Sequence, residues 1–281
     1  MANEIEKGAL YVVATPIGNL SDISDRAKKV LSEVDFIAAE DTRVTGKLLS
    51  VLGIKKPLVS YHEHNKREKG ESIVERLVSG ESGAVVSDAG TPAISDPGED
   101  LVRLCAEKGV VTYSVPGPCA AICALSVSGL STSRFQFEGF LPVKNSERVK
   151  RLEGVKDSTA TLIFYEAPHK LLSTLESLLK TLGNRKISLV REITKINEEV
   201  FRTTLEQAVK HYTDAEPRGE FVLVVEGASV DDTHQFWYEL SVVEHVDYYI
   251  AQGVDKKQAM KNAARDRNVS KSDIYKEYNG L

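Results

Sequence analysis

Long apolar runs are missing from this chain of 281 residues. No stretch approaches the ~18 apolar residues of a membrane span, and Met1 to Gly8 lacks the apolar core of a signal peptide, so a cytosolic protein is expected. Cysteine is scarce: Cys105, Cys119 and Cys123 are odd in number, two of them in an apolar helical stretch. This excludes a disulfide framework and predicts reduced, buried thiols. A strong charge of either sign is also lacking. A formal net charge of −5 argues against non-specific coating of nucleic acid and leaves room for a local basic patch. The dinucleotide fingerprint GxGxxG and the phosphate loop GxxxxGK[ST] are absent. His62-Glu63-His64 lacks HExxH spacing and no ligand set is complete, so no metal is expected.

What is present reads as an α/β chain. Short apolar or β-branched runs at Leu10–Ala14, Phe36–Ala39, Pro57–Tyr61, Ala84–Ser87 and Val110–Val115 each precede a helical pattern, which predicts a mostly parallel sheet. Ala84-Val85-Val86 suits a strand covered on both faces, while Ile73, Leu77 and Val78 recur at helical spacing. After Gly129 to Ser133 the rhythm changes. Strands are expected at Phe135–Phe140, Thr161–Tyr165, Lys186–Arg191, Glu199–Thr203 and Glu220–Val225, with two convincing helices at Pro168–Leu182 and Leu205–Tyr212. This is the pattern of an α+β domain with a mixed sheet. Beyond Gly227, an acidic helix marked by Phe236, Leu240, Val243 and Ile250 ends at Gly253, and helices Lys256–Asp266 and Lys271–Tyr278 follow. Three parts are therefore expected: residues 1–130, residues 131–228, and a small helical tail at 229–281 resembling a helix-turn-helix. Residues 254–281 carry seven Lys/Arg against four Asp/Glu, a basic tail on an acidic protein.

Ser87 to Gly98, SDAGTPAISDPG, follows a buried strand and precedes a helix, where open α/β sheets hold ligands. Gly90 permits close backbone approach, Pro92 and Pro97 stiffen the loop, and Asp88 offers a carboxylate to hydroxyls or an amino group. The plainer alternative is a turn with a helix cap at Asp96. Thr15 to Leu20 and Val115 to Ala121 are similar loops after other strands.

TPIGNLSDISDRA, AAEDTR, SDAGTPAISDPG, PGPCAA, GFLP, YEAPHK and REITKINEE occur in that order. Together they resemble the tetrapyrrole-methylase superfamily and, within it, the ribosomal RNA small-subunit methyltransferase I family, over nearly the whole chain. The resemblance implies a dimeric enzyme with S-adenosylmethionine in a cleft between two domains, methylating the ribose 2′-hydroxyl of a cytidine in the decoding region of small-subunit (16S) ribosomal RNA, free or in the assembled subunit. It further implies cofactor contacts from Pro16, Asp88, Gly90, Thr91, Cys119 and Ala120, with Tyr165, Glu166 and Gly219 closing from the second domain. Two positions depart from the family pattern: Cys119 stands for Ser, which weakens a hydrogen bond, and Lys170 stands for Arg, which loses bidentate phosphate recognition.

A sulfonium methyl is already electrophilic, so placing a hydroxyl in line with it is the main task, helped by a base or a cation. The candidates are Glu40, Asp41, Glu166, His169, Arg191, Glu192 and Lys195. Blander roles stand beside them: a helix cap for Glu40 or Asp41, a first-turn position for His169, and an ion pair with Glu192 or Glu199 for Arg191. RNA contacts are expected from Arg43, Lys47, Lys66 and Arg67, against the alternative of a solvated helix face. In the tail they are expected from Lys257, Lys261, Arg265 and Lys271, against packing on a dimer partner. Carbon methylation of a tetrapyrrole and a non-catalytic, RNA-binding ribosome-assembly factor are the competing functions.

Overall fold

A computed structural model describes residues 4–229, 237, 240–267 and 269–280. The chain divides into two compact units, Met1–Ala228 and Ser229–Leu281. Among the described residues no helix is long and apolar enough to cross a membrane.

The first unit begins with β1 (Leu10–Val13), α1 (Asp25–Glu33), β2 (Phe36–Ala39), α2 (Thr42–Val51), β3 (Leu58–Ser60), α3 (Lys66–Val78), β4 (Gly83–Val86), α4 (Gly98–Glu107), β5 (Thr112–Val115) and α5 (Ala120–Ser128). The five strands pair in parallel in the order β3-β2-β4-β1-β5. Helices must then cover both faces, which is why β2 and β4 are buried at every position. Ala27, Val30 and Leu31 of α1 with Leu49 of α2 seal one face. Ile73, Val74 and Leu77 of α3 with Leu101 and Cys105 of α4 seal the other. Cys105 is buried and the other two thiols half-buried, all three free. A parallel sheet collects the loops after β1, β2, β4 and β5 at one edge, its carboxyl edge.

The chain continues through β6 (Phe135–Phe140), α6 (Asn145–Glu153), β7 (Thr161–Glu166), α7 (Leu171–Leu182), β8 (Lys186–Arg191), β9 (Glu199–Thr204), α8 (Leu205–Asp214) and β10 (Phe221–Val225). The second sheet runs β6-β7-β10-β8-β9, parallel only between β6 and β7, so it is mixed. Along β10 side chains alternate between two cores. Phe221, Leu223 and Val225 join α6, α7 and α8. Val222 and Val224 face Ala121, Ala124 and Leu125 of α5. Each large apolar side chain so enclosed contributes about 1.5–3 kcal/mol. The helix that ends the first sheet's connectivity thus roofs the second sheet, and Arg202 of β9 clasps its end by donating to the Ser128 carbonyl at 3.1 Å. Helix α6 is absent from the expectations above because only Leu152 on it is buried. The expected helix from Pro168 splits into a 3-10 turn at Pro168–Lys170 and α7.

The second unit holds α9 (Val242–Ala251), α10 (Lys256–Asp266) and α11 (Lys271–Tyr278). Ser241 and Glu244 form a capping box at α9, and the side chains of Asp255 and Ser270 cap α10 and α11. Val242, Val246, Met260, Ala263 and Ile274 form its core. The buried His245 stacks on Trp237 at 5.2 Å and accepts from Arg267 Nε at 3.0 Å. Phe236, used above to mark the acidic helix, lies outside the described residues, and Leu240 precedes the helix, which starts at Val242.

Candidate active site

Four loops meet at the carboxyl edge of the first sheet, each tied to another by hydrogen bonds. Thr15 and Gly90 form an isolated bridge, with N–H to carbonyl bonds of 2.9 and 3.1 Å. Asp88 Oδ1 accepts from the Asp41 amide at 3.1 Å, and the Thr91 hydroxyl donates to the Pro118 carbonyl at 3.0 Å. Gly90 has φ +83°, and Ala93 and Ser95 take φ +65° without being glycine. Such positions cost about 1–3 kcal/mol each and persist where neighbours over-determine them. Here Asp96 does so: its Oδ1 accepts from the amides of Ala93 at 2.9 Å and Gly98 at 2.8 Å. The N-cap of α4 is Pro97, without a side-chain cap bond, so Asp96 braces the loop instead of taking the cap position expected for it.

These loops and the adjoining end of the second sheet enclose a cavity of about 690 Å³, within the range of small-molecule sites. Glu40, Asp88, Gly90, Thr91, Cys119, Ala120, Tyr165, Glu166, His169 and Lys195 all line it. Pro16 lines a separate hollow of about 230 Å³ that shares Ser87 and Asp88 with the cavity. Asp41, Arg191 and Gly219 are not among the lining residues. Sequence reasoning passed over Asp96, Phe140 and Glu220, which are. Asp96 and Phe140 stood inside motifs already singled out, and Glu220 carried no signal beyond following Gly219.

The carboxylates differ sharply. Burial, together with the charges of Asp88 and Asp96, pushes the Glu40 carboxyl above its ordinary range. Burial also raises Asp96, though backbone N–H donors oppose it. Asp41 is held far below the carboxylate range by hydrogen bonds from the Arg43 side chain and amide, with Arg43 Nη2 at 2.6 Å. Glu166 is buried and used at both oxygens, by the Ala167 amide at 2.8 Å and the Thr174 hydroxyl at 2.6 Å. Arg191 pairs with Glu199 at 2.9 Å. His169 is exposed on the 3-10 turn after β7. Tyr165 accepts from the Ala121 amide at 3.2 Å, and burial pushes its phenol up to about 12.

Lys195 is the cation of the cavity, and its position is heavily determined. Its Nζ donates to Glu192 Oε1 at 2.8 Å and Glu220 Oε2 at 2.7 Å. Burial opposes its charge, but the two carboxylates more than offset that and raise its pKa, so it is an ammonium. A Cβ on Gly18 would come within 2.5 Å of Lys195 Cγ, and one on Gly219 within 2.5 Å of Glu192 Cγ. Gly219, at φ +82°, thus stands behind the glutamate that holds the lysine. Glu192 at φ +51° and Thr194 at φ +65° hold the loop in a sharp form.

Among the described residues no group of three or more His, Cys, Asp and Glu side chains could hold a metal ion. Of the residues expected to meet RNA, Arg67, Lys47 and Arg43 are exposed, the last paired with Asp41. Lys66 is engaged by Glu63 at 2.8 Å and Asp100 at 2.6 Å. Lys257, Lys261 and Arg265 lie exposed at four-residue spacing on α10, opposite its buried Ala259, Met260, Ala263 and Ala264, and Lys271 is exposed at the start of α11.

A sequence profile of the tetrapyrrole (corrin/porphyrin) methylases matches residues 9–209. The ribosomal RNA small subunit methyltransferase I of Halalkalibacterium halodurans is 51% identical over 275 residues, 97% of this chain and 95% of that protein. The chain belongs to the ribosomal RNA small subunit methyltransferase I family. The Bacillus subtilis member is 48% identical over 97% of this chain and 94% of its own. Among solved structures, a diphthine synthase superposes with a TM-score of 0.60 at 17% identity, covering 78% of this chain and 90% of that one. A Thermus thermophilus uroporphyrin-III C-methyltransferase gives 0.56 at 19%, covering 77% and 94%. At such identities the likeness is one of fold. Family membership makes the protein a methyltransferase whose methyl donor is S-adenosylmethionine.

Proposed function

We propose that the protein methylates the ribose 2′-hydroxyl of a cytidine in the decoding region of small-subunit (16S) ribosomal RNA. The observation that carries this reading is the 51% identity, over 97% of the chain, to a ribosomal RNA small subunit methyltransferase I. The solved tetrapyrrole enzymes that superpose on this chain do so at 19% identity or less. An intact, acid-lined cavity argues against a non-catalytic assembly factor.

The cavity fits the methyl donor by size and charge. Glu40, Asp88 and Asp96 give it a negative lining for a ligand carrying a sulfonium and an ammonium, and the one lysine of that lining is held in place by Glu192 and Glu220. In this reading Asp88, Gly90, Thr91, Cys119, Ala120, Tyr165 and Glu166 hold the donor, residues 1–130 and 131–228 form the two sides of its cleft, and Pro16 shapes the loop from the adjoining hollow. S-adenosylmethionine supplies a methyl carbon bonded to a positively charged sulfur. The protein's task is to steer a ribose oxygen onto that carbon, shed the hydroxyl proton and exclude water. Lys195, already an ammonium, is unsuited as a base and suited to stabilising developing negative charge on the oxygen. Asp41 is committed to Arg43, Arg191 to Glu199 and both Glu166 oxygens to hydrogen bonds. Two cavity carboxylates then have raised proton affinity, Glu40 and Asp96; Asp96 is engaged by the Ala93 and Gly98 amides, and Glu40 takes the proton.

Asp88→Ala is expected to weaken S-adenosylmethionine binding by roughly tenfold, because a polar partner loses its acceptor and the Asp41 amide is left unpaired. Titration calorimetry checks it, and unchanged affinity would move the donor elsewhere. The tail at 229–281 serves as the RNA-holding module. Reversing Lys257, Lys261 and Arg265 to Glu together is expected to lower affinity for small-subunit RNA about tenfold to a hundredfold and to flatten its salt dependence. Donor affinity should not change, and filter binding across a salt series reads the difference.

A homodimer working in the cytoplasm with free RNA or the assembled subunit completes the proposal. Phe135 and Phe140, exposed on the edge strand β6, and the exposed Val143 just beyond it support self-association. Mass-spectrometric mapping of ribose methylation in a deletion strain tests the function as a whole, and an unchanged decoding-region cytidine would refute it.

A further inference from the structure

A second groove opens beside the donor cavity. It is about 540 Å³, lies between Gly18–Leu20 and Glu192–Asn197, and shares Lys195 with the cavity. Its two sides are joined where the Thr194 hydroxyl donates to the Asp22 carboxylate, and the Thr194 loop is braced within itself by the Thr194 amide donating to Glu198 Oε2 at 2.8 Å. The outcome is unusual for a tight loop, since Ile196 at its tip is fully exposed and Leu20 on the facing wall is 41% exposed. Asn19 spends its carbonyl oxygen on the Ser21 amide at 3.0 Å. Among the described residues, neither its amino group nor the Asn197 carboxamide has a partner in the protein.

We infer that this groove receives the acceptor nucleotide, with the base against Ile196 and Leu20, the carboxamides of Asn19 and Asn197 at the base edge, and the ribose hydroxyl at Lys195. Flat apolar contact combined with amide donors and acceptors is how proteins hold an unstacked base, and a nucleotide modified by an enzyme must leave its stack to reach the site. The lining also argues for a nucleoside over a macrocycle bearing many carboxylates. Such a ligand needs several cations, and Lys195 is the one that lines the groove. The position of Lys195 is the strongest support, because it brings the acceptor's oxygen and the donor's methyl to one junction. The inference rests on the RNA reading proposed above.

The test uses the full-length protein with S-adenosylmethionine and purified small ribosomal subunits from cells lacking the enzyme. Ile196→Ala and Asn197→Ala alter exposed side chains without buried partners, so folding is not at stake. Each is expected to raise KM for the subunits about fivefold to tenfold, the scale of losing one face or one edge of a held base, with kcat within about twofold and donor affinity unchanged. Unchanged KM in both variants, with wild-type protein active, overturns the subsite alone. A parallel loss of donor affinity overturns it as well, by making the groove part of the donor site. Wild-type protein inert on subunits and on their RNA overturns the RNA function itself, a result read without any variant.

Discussion

Lys195→Ala lowers kcat for RNA methylation by about 10²–10³-fold while donor affinity stays within roughly threefold. The expectation follows from what surrounds the side chain. Two carboxylates hold Nζ at 2.7 and 2.8 Å, Gly18 leaves room for its stem, and the ammonium faces both the donor cavity and the adjoining groove. A side chain so over-determined is preorganised, and a preorganised cation acts on charge that develops only in the transition state. Lys195→Arg retains charge but brings a planar fork where a compact ammonium fits, so it should recover only part of the activity. Gly219→Ala should shift kcat in the same direction by a smaller factor, because the added Cβ would displace Glu192. Single-turnover kinetics beside calorimetry separates this role from donor binding. If affinity fell as far as kcat, Lys195 would be a donor contact.

Glu40→Gln is expected to lower kcat by about 10²–10³-fold and, at the same time, to stabilise the ligand-free protein at pH 7. The two effects share a cause. Burial and the neighbouring charges of Asp88 and Asp96 make ionised Glu40 unfavourable in the folded state, so its pKa lies above the ordinary 4.5. The folded protein therefore binds this proton more tightly than the unfolded chain does. Stability is lost as pH rises from the ordinary value through the raised one, and the cost is fully present above it. Glutamine removes that cost, so the gain in Tm should appear at pH 7 and vanish below pH 4.5. Wild-type kcat should fall as pH drops through the raised Glu40 pKa, and that limb should disappear in the residual activity of the variant. A limb that persists in Glu40→Gln would assign the proton to another group.

The family relation also clarifies the two departures noted in the sequence. Cys119 still lines the cavity at the start of α5, where the sulfur keeps the size of serine's hydroxyl but is a weaker hydrogen-bond partner. Lys170 closes the 3-10 turn after Glu166 and lies outside the lining, so loss of a guanidinium there leaves the cavity unaltered.

Local order was legible in the residues themselves. The bounds of β2, β6, β8, α10 and α11 match their expected spans, because a two-residue or 3.6-residue period and a capping side chain are written within a few neighbours. The ordered motifs likewise named the family and the loops around the donor, since glycine, proline and acidic residues at strand ends act where they stand. Tertiary structure alone decided three matters. It turned α5 away from its own sheet to roof the second one, a pairing that its nearly all-apolar sequence is compatible with but does not specify. It separated carboxylates of equal appearance: Asp41 is spent on Arg43, Glu166 on Thr174 and Ala167, and Glu40 faces the cavity. It put Gly219 behind Glu192 and Gly18 beneath Lys195, and so made a lysine in a charged loop the junction of two cavities. The contacts of α5, Gly18 and Gly219 join residues distant in the chain, and Glu40 is set apart by partial burial beside the chain-distant charges of Asp88 and Asp96. Packing and solvent exclusion set these things, and no local pattern of residues encodes them.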